Sequence, residues 1–113
     1  MHDTLDLVSK ASAYVAASNA RDVRAIEPML HKDCRYISTG VGEYTGRTEI
    51  LSMMTGFFAS NPDVHWTVAD YILEPERCVV FEFVISLAGQ HSNGTERIWF
   101  SEDGVITCIK VDR

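Results

Sequence analysis

A chain of 113 residues with 46% apolar content carries enough nonpolar mass for one hydrophobic core and too little for two, so residues 1–113 are read as a single domain. A net charge of −6 and a pI near 5.0 set it against polyanions, which excludes nucleic acid and anionic membrane surfaces as partners.

From Thr4 to Ser18, Leu7, Ala11, Tyr14 and Val15 recur at helical spacing, with Leu5 and Val8 beside them and Asp3 or Thr4 available as N-cap. This predicts an amphipathic helix of about four turns. Asn19 tolerates the left-handed conformation that ends helices, and Asp22 can cap a second helix, Val23 to about Leu30, which Pro28 kinks or shortens. After His31, Lys32 and Asp33, the run Cys34 to Ser38 reads as a short strand, and Thr39 to Tyr44, with Gly40 and Gly42, as a pliable loop. Thr45 or Gly46 opens a third helix; Ile50, Met53, Met54, Phe57 and Phe58 form its buried stripe, and Asn61-Pro62-Asp63 stops it.

The next stretch, Val64 to Gly89, organises the rest. Two β-rich runs, His65 to Leu73 and Cys78 to Gly89, join through Glu74, Pro75 and Glu76 as a hairpin. Alternation gives the second run one apolar face, Phe81, Phe83, Ile85 and Leu87, and one mixed face, Val80, Glu82, Val84 and Ser86. A loop from Gln90 to Gly94, a strand from Thr95 to Phe100, a tight turn at Ser101 to Gly104 and a strand from Val105 to Val111 complete the chain. The order ααβαββββ, helices in one half and strands in the other, predicts an α+β domain in which a curved antiparallel or mixed sheet wraps three helices.

Tyr14-Val15-Ala16-Ala17 followed by Asn19-Ala20, Asp22, Ile26, Gly46 and Ile50, with Phe100, Gly104 and Ile106 near the end, resembles the nuclear transport factor 2-like superfamily. Within it the sequence is most similar to the SnoaL-like and ketosteroid isomerase-like branch. The resemblance implies a cone-shaped fold with a pocket open at one end. It also implies an oxyanion hole made of a first-helix tyrosine and a neutral aspartic acid on a late strand, plus a second aspartate as proton shuttle. Tyr14 falls on the tyrosine, Glu96 at or near the late-strand acid and Ser38 on the shuttling aspartate. A serine hydroxyl has no useful basicity near neutral pH without a partner base, so steroid isomerisation by the usual route is not expected.

Each candidate has two readings. Tyr14 either projects its phenol into the cone or is a core tyrosine bonded within the fold. Glu96 shares a strand face with Ile98 and Phe100; facing inward it is a neutral acid of raised pKa, facing outward a solvated carboxylate paired with Arg97 or Arg35. His65 is the natural general base if it points inward, but alternation lets only one of His65 and Trp66 do so. Met53, Met54, Phe57, Trp66, Phe81, Phe83 and Ile85 serve as pocket wall or as core, and Glu43 sits on a loop able to reach the mouth. His2, His31 and His91 fall in turns or at the terminus. The four histidines lack the spacing of a local metal motif, and no phosphate or dinucleotide fingerprint occurs, so no metal or cofactor is expected.

These residues suit a cofactor-independent acid/base enzyme, an isomerase, cyclase or dehydratase, acting on a small apolar carbonyl compound. A non-catalytic binding protein is the alternative that Ser38 favours. An interaction module using the outer sheet face, with Val80, Val84 and Trp99, is another, and a homodimer through that face is compatible with all three. Three unpaired cysteines, Cys34, Cys78 and Cys108, acids rather than cations in the first six residues, and no apolar run near the ~20 residues of a span predict a cytoplasmic protein.

Overall fold

The computed structural model describes residues 6–113. Helix α1 is Leu7–Asn19, capped by Asp6, whose carboxylate accepts from the Ser9 amide at 3.1 Å. The expected cap residues Asp3 and Thr4, with Leu5 and His2, lie outside the described residues. Helix α2 is Val23–Ile26, capped by Asp22 as expected, and Pro28 turns the continuation into a short 3-10 turn, Glu27–Met29. Strand β1 (Leu30–Ser38) therefore starts four residues before the expected Cys34 and takes His31 out of a turn. Strand β2 (Gly42–Thr45) lies where a loop was expected and pairs antiparallel with β1 from Thr45 to Gly42. Helix α3 (Arg47–Ser60) follows Gly46 and ends at Asn61.

The remaining strands are β3 (His65–Glu74), β4 (Cys78–Leu87), β5 (Gln90–Phe100) and β6 (Ile106–Asp112). The stretch Gln90 to Gly94 is strand rather than loop, because a two-residue turn at Ala88-Gly89, both with positive φ, matches the right-handed twist of β4 and β5. His91 is thus a strand residue. The sheet order is β2-β1-β6-β5-β4-β3, antiparallel except for the parallel pair β1–β6. Register shifts in the β1–β6, β3–β4 and β5–β6 pairs are the irregularities at which such a sheet bends and coils. The fold is α+β, with the helices covering the inner face of a curled mixed sheet.

Alternation sorts the faces as expected. Phe81, Phe83 and Ile85 are buried beneath the helices, Glu82 and Val84 are exposed on the far side, and Leu87 is only partly covered near the strand end. Helix α1 buries Leu7, Ala11, Tyr14, Val15 and Ser18 on one stripe, and α3 buries Ile50, Met54 and Phe58. Asn19 does not terminate α1 through a left-handed backbone. Its side chain instead clamps the edge strand: Nδ2 donates to the Trp66 carbonyl at 2.8 Å, and the Trp66 amide donates to Oδ1 at 2.7 Å. Two edge-strand backbone groups are satisfied in this way, and the phase of β3 against α1 is fixed.

Candidate functional site

The sheet register sets the inner face in belts. Phe81, Glu96, Val111 and Ser38 are consecutive cross-strand partners on β4, β5, β6 and β1. Two residues along each strand, about 7 Å away, lie Phe83, Gly94, Arg113 and Gly40. Tyr14, Val15 and Ser18 from α1 and Met53, Met54, Phe57 and Phe58 from α3 close over these belts. The result is a pocket that also takes in Tyr36, Val41, Trp66 and Ile85. The volume open to the centres of water molecules is about 40 Å³, room for a few waters. Met53 and Met54, unbranched and adaptable side chains, form part of its wall.

Glu96 is the acidic residue that lines this space. It is 5% exposed, and its carboxyl makes no hydrogen bond or ion pair with any described residue. Burial pushes its pKa from 4.5 up to about 8, so the neutral acid dominates at pH 7. Arg35 is engaged elsewhere, 3.6 Å from Glu43 in an exposed pair worth little. Glu43 sits on β2 and does not reach the pocket.

Two tyrosines line the same pocket and feel the charge of the acid. Tyr14 is 5% exposed, and burial first, then Glu96, holds its pKa well above the usual 10. Tyr36 on β1 is raised mainly by burial and also by Glu96, while the Arg113 guanidinium pulls it the other way. Both therefore stay protonated and remain donors at any physiological pH. Tyr71, packed at a tilt against Phe81 with ring centroids 5.0 Å apart, is raised by burial and more weakly by Glu96, but does not line the pocket.

Of the residues singled out from sequence, the structure brings Tyr14, Ser38, Met53, Met54, Phe57, Trp66, Phe83, Ile85 and Glu96 to one pocket. His65 does not join them. The Asn19 clamp turns Trp66 inward against Phe57 and Phe58, with ring centroids 6.2 and 6.4 Å away, and His65 is exposed on the opposite face. It cannot reach a substrate in the pocket. Phe81 points inward but is core, screened from the cavity. The Ser38 hydroxyl accepts from the Gly40 and Val41 amides, both at 3.2 Å, and shapes the β1–β2 turn. Tyr36 and Arg113 escaped the sequence reading. Arg113 lies two residues past Val111, and the alternation of β6 carries the signal that it shares the inner face.

No group of three or more His, Cys, Asp or Glu among the described residues is placed to hold a metal ion, and no helix among them is long and apolar enough to cross a membrane. Comparison with solved structures finds this architecture in an NTF2-like protein of unknown function from Cytophaga hutchinsonii, with a TM-score of 0.80 at 15% identity over 98% of this chain and 92% of that one. A proposed ketosteroid isomerase from Kribbella flavida matches with a TM-score of 0.79 at 18% identity over 94% of this chain and 76% of that one. A proposed polyketide cyclase from Sinorhizobium meliloti gives 0.79 at 15% identity, over 96% and 95% of the two chains. At these identities the likeness is one of fold. No curated protein sequence matches the chain. The model of the SnoaL-like domain matches residues 11–109, nearly every element from α1 to β6, and the chain therefore belongs to the SnoaL-like family.

Proposed function

We propose that the protein is a cofactor-independent acid/base enzyme that moves a proton next to the carbonyl group of a small molecule held in the pocket. The observation that carries this reading is the unpartnered, buried carboxyl of Glu96 facing two protonated phenols. Leaving an acid unpaired in an apolar site costs stability, and a titration point near neutrality is what a proton-transfer group needs. Tyr14 and Tyr36 donate to the carbonyl oxygen and stabilise the enolate as charge develops on it. Glu96, once ionised, takes the α-proton and returns it. With His65 on the outer face and the Ser38 oxygen committed to its turn, no other base is needed. The small open volume favours a compact substrate, admitted as the methionines shift.

The test is deuterium exchange at the α-carbon of small ketones in D2O, followed by proton NMR. The groups facing Glu96 are Tyr14, Tyr36 and Tyr71, all protonated, and Arg113 beyond Tyr36. The catalysed rate should therefore follow Glu96 alone, rising about tenfold per pH unit below pH 8 and levelling above it. It should vanish in Glu96→Gln. A rate independent of pH, or unchanged in that variant, rejects the assignment.

A homodimer through the outer sheet face is a compatible second element. Ile72, 57% exposed, and Val84, 38% exposed, lie on that face and are apolar surface that association would cover, whereas Val80 is already buried within the chain.

A further inference from the structure

The acid/base reading leaves one pocket residue without a role: Arg113. It follows Val111 and Asp112 out of β6, and its backbone is tied to Thr39, whose hydroxyl accepts from the Arg113 amide at 3.0 Å and donates to its carbonyl at 3.2 Å. Two glycines clear space for its side chain. A Cβ on Gly40 would sit 2.9 Å from the Arg113 Nε, and one on Gly94 would sit 2.8 Å from the Arg113 Cβ and collide with the Phe83 ring. Neither position tolerates a side chain without displacing the arginine or the pocket wall. The guanidinium makes no ion pair with a described carboxylate, yet it lines the same pocket as Glu96 and its charge is felt at Tyr36. A solvent-exposed cation, tied through its backbone and with no guanidinium hydrogen bond among the described residues, thus stands one belt, about 7 Å, from two phenols and an acid that suit a carbonyl.

We infer that the pocket takes a small oxo acid, its carbonyl oxygen held by Tyr14 and Tyr36 beside Glu96 and its carboxylate received by the Arg113 guanidinium. A guanidinium matches a carboxylate with two parallel hydrogen bonds, which supplies charge and orientation together. The ligand's charge is neutralised at the mouth, and a chain of one or two carbons between the two groups fits the limited space behind it. This selection explains why one cation is kept at the pocket of an otherwise acidic chain. The inference rests on the acid/base reading for its carbonyl end and is independent of it at the carboxylate end.

The experiment is calorimetric titration of 3-oxobutanoate and 4-oxopentanoate against the isosteric neutral amides, 3-oxobutanamide and 4-oxopentanamide, at pH 7. Wild type, Arg113→Gln, Arg113→Lys and Glu96→Gln are compared. The acids are expected to bind the wild type at least tenfold more tightly than the amides. Arg113→Gln removes that preference while leaving amide affinity within about twofold, and Arg113→Lys retains part of it through charge alone. Equal binding of acid and amide, no binding of either, or an equal loss of both in Arg113→Gln overturns the inference. The two readings fail separately: amide binding that is sensitive to Glu96→Gln without an acid preference removes only the carboxylate end. An acid preference in a protein whose α-deuterium exchange is unchanged in Glu96→Gln keeps Arg113 and removes the catalytic role of Glu96.

Discussion

Between pH 5 and pH 7, Glu96→Gln is expected to gain about 3 kcal/mol of stability relative to the wild type, while losing the proton-transfer activity altogether. In the unfolded chain the glutamate titrates near 4.5; in the fold, burial raises it to about 8. Between those values the native state keeps a proton that the unfolded state has released. Wild-type stability therefore falls as pH rises, by about 1.4 kcal/mol per unit, and the decline ends once pH passes the folded value near 8. Below 4.5 both states are protonated and the penalty is absent. Glutamine cannot ionise, so the variant lacks this slope. Its amide brings a second unpartnered donor, which lowers stability at every pH and leaves the slope difference intact. Urea unfolding followed by tryptophan fluorescence at several pH values measures it directly. Parallel stability curves for the two proteins would show that Glu96 is ionised in the fold or finds a partner there.

Tyr14→Phe should leave the fold nearly untouched and lower the catalysed exchange rate by about 10²–10³-fold. The phenol has the Ser18 side chain as a weak polar neighbour, which pulls its pKa down slightly, whereas the backbone of Tyr14 is held by a separate contact, its carbonyl accepting from the Ser18 hydroxyl at 2.9 Å. Removing the oxygen therefore takes away little native interaction, and phenylalanine fills the same volume. What disappears is one of two donors to the enolate oxygen, a loss worth roughly 3–4 kcal/mol of transition-state stabilisation in comparable sites. The distinguishing pattern is a fall in kcat with an unfolding midpoint that moves by less than about 1 kcal/mol. A comparable fall in stability, with kcat preserved, would make Tyr14 a core residue.

Local periodicity groups side chains on one face without saying which way that face points. Helical spacing put Tyr14 on one stripe with Ala11 and Val15, and alternation put Glu96 on one face with Ile98 and Phe100; the pair was singled out through the family resemblance, and only the fold shows both residues buried. Alternation left the phase of β3 open, and it took a contact 47 residues distant in sequence, Asn19 to Trp66, to turn Trp66 inward and His65 outward. Tyr36 and Arg113 were hidden for a related reason. The place of Tyr36 near Glu96 comes from the parallel β1–β6 pairing, which no local pattern announces, whereas that of Arg113 follows from the alternation of β6 and its pairing with β5. Strand β2 was missed because two of the residues around it are glycines, and its extended form is held by β1 rather than by its own propensity. The early start of β5 had a readable cue in Ala88-Gly89, but its exposed polar residues, Gln90 to Asn93, resemble a loop in composition.

The most direct test is a carbon-13 NMR titration of the glutamate side-chain carboxyls in the wild-type protein, with Glu96→Gln used for assignment. One glutamate resonance should titrate with a midpoint near pH 8 and be missing from the variant, far above the others. If every glutamate carboxyl instead titrates in the ordinary range around pH 4–5, Glu96 is a charged residue at neutral pH, and it is not the neutral, poised acid on which the proposed chemistry depends.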